Sequence, residues 1–103
     1  VIDLGKTETI SKVSLGIVNA EASWIHPPKS VSVFVSSYGS DFMLAKELSA
    51  DEILSLGRVL VIPFEARSAR YVKVIARNSG TIADGKPGAG SPAWVFVDEI
   101  AVE

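Results

Sequence analysis

Hydrophobic and polar residues alternate along most of the chain with a period of two residues. This period is typical of β-strands, because successive side chains of a strand point to opposite faces of a sheet. The pattern predicts strands in "VIDLG" (ended by Gly5), "TISKVSLGIV", "SVSVFVSS", residues 42–48, "RVLVIPF", "RYVKVIARN" and "WVFVDEIAVE". The positions expected to face the core are Val13, Leu15, Ile17, Val31, Val33, Val35, Leu60, Ile62, Phe64, Val72, Val74, Ala76, Ile100 and Val102.

Three details modify this pattern. The serines of "SVSVFVSS" are expected to face mostly outward. Pro63 has no amide donor for a strand ladder, so its strand is expected to lie at an edge or to carry a bulge. Asp98 falls in the same phase as Ile100 and Val102, which predicts a bulge or a strand end at that position.

One short helical turn is predicted at residues 50–56. Ser49 and Glu52 have the spacing of a capping box, and Gly57 stands where a helix would stop. No long helix is predicted, so the crossovers that a parallel sheet requires are missing. The sequence therefore predicts an all-β antiparallel sandwich, in a single domain over residues 1–103.

Composition narrows the possible functions. The net charge of −2 argues against a nucleic-acid partner, which needs a basic face. No apolar run approaches the roughly 20 residues that span a bilayer, so no membrane insertion is expected. The chain has no cysteine, which excludes disulfides and thiolate sites. It opens inside a predicted strand without methionine or signal peptide, so we interpret it as a piece of a larger protein.

Two segments break the alternation, "SWIHPP" at residues 23–28 and a glycine-rich loop at 79–92. Pro27 and Pro28 predict an extended segment, in which Trp24 and His26 point outward together while Ile25 faces the core. The alternative is that Trp24 itself caps the core. The glycines of the loop predict the most mobile internal segment, or one held by few contacts.

Several aromatic and polar residues near predicted strand ends are candidates for contacts with a sugar. Tryptophan and tyrosine rings stack on sugar C–H faces, and a few polar groups then orient the hydroxyls. The candidates are Trp24, His26, Tyr38, Arg77, Asn78 and Trp94. Asp98 and Glu99 are adjacent on a strand and point to opposite faces, so they do not form an acid–base pair. No other convergent catalytic set is visible, so the domain is not expected to be an enzyme.

Four motifs occur in the order "VIDLGK…ISKVSLGI", "PKSVSVFVSSYGSDF", "ARYVKVIARN" and "WVFVDEIAV". In this order the chain resembles the discoidin-like family, also called the coagulation factor five/eight type C domain, which includes carbohydrate-binding module family 32. The match covers essentially the whole chain. The pieces "SWIHPPKSV" and "PGAGSPAWVFVDEI" are similar to modules appended to bacterial family 20 glycoside hydrolases, the β-hexosaminidases or chitobiases.

The resemblance implies an eight-stranded, galactose-binding-like jelly roll with a ligand site among the loops at one end. It implies a non-catalytic module of a secreted, periplasmic or cell-surface bacterial enzyme, which binds galactose- or N-acetylhexosamine-containing glycans. The family's opening segment, with its first strand and most ligands of a structural calcium ion, is missing before "IDLG". Glu99 matches the family's acidic position near that ion.

An alternative function is a structural or adhesion module that packs on a catalytic domain or a protein partner without binding sugar. Burial of both Trp24 and Trp94 would favour this alternative, because no stacking surface would then remain.

Overall fold

The structure is a computed structural model that describes residues 1–95 and 97–103, except for the side chains of Glu21 and Glu99. These residues form five strands, a 3-10 turn and one short helix. The strands are β1 (Ile2–Ile17), β2 (Ser30–Ser36), β3 (Met43–Ser49), β4 (Val59–Arg77) and β5 (Val97–Val102). The 3-10 turn is Glu21–Ser23 and the helix α1 is Ala50–Leu56.

All strand pairs are antiparallel, and the strands lie in the order β3-β2-β4-β1-β5. The long strand β4 connects the two parts of the sheet, because residues 59–72 pair with β1 and residues 71–77 pair with β2. Side chains from both parts belong to one core cluster. The all-β antiparallel prediction is confirmed, and the arrangement is consistent with a β-sandwich.

The described residues form five strands rather than the seven that the sequence pattern predicts, because two strands each continue through an irregular position. β1 passes through Gly5, whose φ is +84°, and its register against β4 shifts between Asp3 and Glu8. The prediction that Gly5 ends the first strand is therefore wrong. β4 likewise joins two segments that the sequence pattern separates. Pro63 lies there beside a register shift, which confirms the predicted irregularity.

The core consists mainly of the positions that alternation predicts. Its buried members from that set are Val13, Leu15, Ile17, Val31, Val33, Val35, Leu60, Ile62 and Val72. Phe64, Val74, Ala76 and Val102 pack against this cluster while partly buried. Burial of this apolar surface is the main favourable contribution to folding.

Two expectations about facing direction are wrong. Ser32 and Ser36 are buried rather than outward. Ser32 lies on the inner strand β2 between its cross-strand neighbours Glu47 and Ile75.

Ile100, which alternation places in the core, is instead 42% exposed. A register shift in β5, opposite Ser14 and Gly16, changes the phase of the strand after Asp98 and confirms the predicted bulge.

Helix α1 forms as the sequence predicts. Ser49 Oγ accepts the Glu52 amide at 3.3 Å, and the Glu52 carboxylate accepts the Ser49 amide at 3.1 Å. The Gly57 amide donates to the Ile53 carbonyl at the other end, and Ile53 anchors the helix in the core. Within the described residues, no helix is both long and apolar enough to cross a membrane.

Candidate ligand-binding surface

Trp24 and Trp94 lie side by side, although 70 positions separate them in the sequence. The Trp94 amide donates to the Trp24 carbonyl at 2.8 Å, and the His26 amide donates to the Trp94 carbonyl at 3.0 Å. Ile25 and Trp94 thereby form a short parallel bridge. The backbone, rather than side-chain packing alone, holds the two tryptophans together.

The backbone conformation of Trp24 differs from the expected extended form. Trp24 has a φ of +65°, a left-handed conformation that bulky residues rarely adopt. It follows the 3-10 turn Glu21–Ser23, and hydrogen bonds between Ala20 and Ile25 close this small loop. The strict alternation predicted for Trp24, Ile25 and His26 therefore fails at its first residue. Strained residues of this kind cluster at functional sites, which draws attention to this loop.

Gly88, in the loop of residues 79–92, supports the Trp24 ring. A Cβ atom on residue 88 would stand 2.5 Å from Cε2 of the indole. The ring therefore lies against a stretch of backbone where only glycine leaves enough room. The sequence pattern did not reveal this contact, because it depends on the left-handed conformation of Trp24.

The glycine-rich loop, residues 79–92, is held by more contacts than predicted. The Ile82 amide donates to Ser91, the Gly90 amide donates to Ile82, and the Ala93 amide donates to Gly80, at 2.9–3.0 Å. Ile82 is also buried. The loop is an irregular hairpin, and these hydrogen bonds join its two arms. The expectation of few contacts is therefore wrong.

Asn78 organises the base of this loop instead of presenting its amide to a ligand. Its Nδ2 donates to the Ala93 carbonyl at 2.5 Å, and its Oδ1 accepts the Gly80 amide at 2.6 Å. Both ends of the side-chain amide thus bind backbone groups on opposite arms of the loop. Asn78 positions Ala93, and through it the neighbouring Trp94.

The two tryptophans line a shallow hollow of about 430 Å³ together with Ser91, Pro92 and Ala93, which we call the tryptophan surface. Trp24 is 39% exposed and Trp94 is 60% exposed, so neither tryptophan is buried in the core. The lining is mostly apolar, and backbone hydrogen bonds fix the positions of Trp24, Ala93 and Trp94. An exposed pair of indoles in a fixed position is the geometry that stacking on a flat, partly apolar ligand requires.

His26 lies beside this surface but in a different hollow. That hollow measures about 230 Å³, and its lining includes His26, Lys29, Ser79 and Lys86. The Nε2 atom of His26 is buried without a hydrogen-bond partner among the described residues. The expectation that Trp24 and His26 face outward together is wrong, because the left-handed turn at Trp24 separates their directions.

The other two candidate residues lie at opposite ends of β2. Arg77 is exposed at the end of β4, where its carbonyl accepts the Lys29 amide at 2.9 Å, close to the His26 hollow. Tyr38 is 86% exposed in the β2–β3 turn, beyond the far end of β2. β2 has seven residues, so about 20 Å of strand separates Tyr38 from the tryptophan surface.

The structure gives no further support to a metal site. The side chain of Glu99, the predicted calcium position, lies outside the described residues. Among the side chains that are described, no group of three or more His, Cys, Asp or Glu could hold a metal ion. Calcium binding therefore stays a prediction.

Comparison with known proteins does not assign the chain. No family model matches it, and no curated protein matches it either.

Proposed function

We propose that the chain is a non-catalytic carbohydrate-binding module of the discoidin-like type, with the tryptophan surface as its sugar site. The observation that carries this proposal is the exposure of Trp24 and Trp94 side by side, at 39% and 60%. Backbone hydrogen bonds fix their relative position. A pyranose ring presents C–H groups that stack on such indoles without a large loss of side-chain entropy on binding.

The neighbouring hollow supplies the polar groups that a sugar site also needs. His26, Lys29 and Lys86 line it, and Ser91 lies on the tryptophan surface itself. Imidazole, ammonium and hydroxyl groups bind sugar hydroxyls and distinguish their orientations. An apolar platform beside a few polar groups is typical of small-ligand sites.

The biological role then follows from the resemblance. The module would bind galactose- or N-acetylhexosamine-containing glycans and hold an attached glycoside hydrolase of family 20 close to its substrate. We place that enzyme outside the cytoplasm of a bacterium, in the periplasm, at the cell surface or in the medium. Two indoles, a proline, an alanine and one serine line the tryptophan surface, and this mostly apolar lining supports a binding role.

A second role, packing on a catalytic domain or protein partner, is favoured by a different observation. Four apolar side chains are exposed around the end of α1 and the start of β4, namely Leu54, Leu56, Val59 and Val61. Exposed apolar patches of this kind often mark protein contacts. This role is compatible with stacking of a sugar on the tryptophans, because none of these residues lines the tryptophan surface. Leu54 alone among them lines the neighbouring His26 hollow.

A glycan array followed by affinity measurements tests the sugar site. We expect Trp94→Ala to weaken binding of the selected glycan at least ten-fold, with little change in melting temperature, because Trp94 is exposed. Trp24→Ala should also weaken binding, with a larger fall in melting temperature, because Trp24 packs on Gly88. His26→Ala should weaken binding less than Trp94→Ala does, because His26 lines the neighbouring hollow rather than the tryptophan surface.

Leu56→Ala is the matched control, since it removes an exposed apolar side chain away from the tryptophans. It should leave glycan affinity unchanged. If the wild-type chain binds no glycan, or if Trp94→Ala binds as well as wild type, the sugar-site proposal is wrong. Absence of all glycan binding would leave the packing role as the better explanation.

A further inference from the structure

The turn between β2 and β3 forms a second hollow at the opposite end of β2 from the tryptophan surface. It measures about 420 Å³, and its lining includes Tyr38, Asp41, Met43, Arg67 and several serines. This volume lies in the range of small-ligand sites. We infer that this turn, residues 37–42, is a second saccharide site, which binds a neutral sugar ring against Tyr38.

Tyr38 provides the stacking group. Its side chain is 86% exposed, and it lines the hollow together with Met43, which is 67% exposed. An aromatic ring that protrudes from a fixed turn offers one face to a sugar while its hydroxyl remains available for a hydrogen bond. The serines around it, Ser36, Ser37, Ser40 and Ser68, surround that ring with further hydroxyl groups.

Asp41 and Arg67 determine the class of ligand. Both line the same hollow, and in the described part of the chain neither takes part in an ion pair. Arg67 uses its Nε to reach the Glu65 carbonyl at 3.4 Å. One carboxylate and one guanidinium give the hollow no net charge from these two groups, and with hydroxyls the carboxylate accepts hydrogen bonds while the guanidinium donates them. A neutral sugar satisfies both groups.

The turn is held in one conformation before any ligand arrives. Ser36 Oγ donates to the Ser40 carbonyl and accepts the amides of Tyr38 and Gly39, each at 3.2 Å. Gly39 rests on the Tyr71 ring, and Arg70 lies 5.2 Å from the centre of that ring. This support reduces the conformational entropy that binding would otherwise cost.

This inference shares its ligand class with the proposed function but rests on different residues, so the two fail independently. A ¹⁵N-labelled sample of the 103-residue chain is titrated with galactose, N-acetylglucosamine and inorganic phosphate. Millimolar dissociation constants correspond to only about −4 kcal/mol, so sugar concentrations up to about 100 mM are used. We expect saturable shifts of the Tyr38, Gly39 and Asp41 amides with a sugar and not with phosphate.

Tyr38→Ala should weaken about ten-fold the sugar affinity that the turn amides report. It should leave the shifts of the Trp24 and Trp94 indoles unchanged. Asp41→Asn and Arg67→Gln should each weaken the sugar affinity at the turn as well. Trp94→Ala is the reciprocal control, which should affect only the tryptophan surface. The inference is overturned if no sugar shifts the turn amides, if phosphate shifts them instead, or if Tyr38→Ala leaves the sugar shifts intact.

Discussion

The indole ring of Trp24 lies against the backbone of Gly88, so closely that a Cβ atom on residue 88 would stand 2.5 Å from Cε2 and 2.6 Å from Nε1. This contact joins the loop after the 3-10 turn to the glycine-rich loop of residues 79–92. Both loops also supply the tryptophan surface. The position of the Trp24 ring therefore depends on residue 88 having no side chain.

Gly88→Ala should destabilise the chain more than Gly85→Ala. Both glycines have left-handed conformations, with φ of +77° and +84°, so each substitution incurs the same backbone cost of about 1–2 kcal/mol. Only residue 88 meets a ring, which should add about 1–3 kcal/mol of overpacking. Urea unfolding measures the loss in the free energy of unfolding for each variant. Glycan affinity should fall only for Gly88→Ala. Equal losses for the two variants would show that the Trp24 contact is unimportant.

Asn78→Ala should loosen the base of the glycine-rich loop. It removes the donor to Ala93 and the acceptor for Gly80, and we expect a loss of about 1–3 kcal/mol in the free energy of unfolding. Asn78→Asp keeps the acceptor but places a negative charge beside the Ala93 carbonyl, so it should protect the Gly80 amide from exchange while still lowering stability. Ser79→Ala, at an exposed neighbour, is the control. If Asn78→Ala behaves like this control, the anchoring role is refuted.

Stability below about pH 4 should report the ion pair between Asp3 and Arg70. The Arg70 guanidinium donates to both carboxylate oxygens of Asp3, at 2.8 Å and 3.1 Å, and the Gly5 amide adds a third bond. These bonds hold the pKa of Asp3 below its usual range, with the Arg70 hydrogen bonds as the largest cause. A lowered folded-state pKa stabilises the fold above the unfolded pKa of about 3.9 and loses this effect as pH falls through the folded pKa.

The melting temperature of Asp3→Asn should therefore lie slightly below that of wild type from pH 7 down to about pH 4, and the two should converge at lower pH. The difference should be small and should shrink with added salt, because the pair is exposed to solvent. Arg70→Gln should give a similar difference, and the double variant should not add to it. A difference that does not shrink as the solution is acidified below about pH 4 would contradict the assignment.

Features encoded within a few neighbouring residues were readable from the sequence. Alternation identified core positions such as Leu15 and Val33, because burial of one sheet face imposes a period of two. The capping box of Ser49 and Glu52 predicted α1, because its hydrogen bonds join residues only three positions apart. The candidate tryptophans were also identified, since an aromatic residue near a strand end can be recognised without knowing its partner.

The arrangement of the site was decided only by tertiary structure. Whether Trp24 would meet Trp94 depended on a backbone bridge between segments 70 residues apart, and Asn78 became a loop anchor because Ala93 folds back beside it. The separation of Tyr38 from the tryptophans followed from the direction of β2 within the sheet. Local periodicity determines which face of a strand is buried. The meeting of loop ends depends on strand pairing and register between distant segments, because those long-range hydrogen bonds leave no repeating signal along the chain.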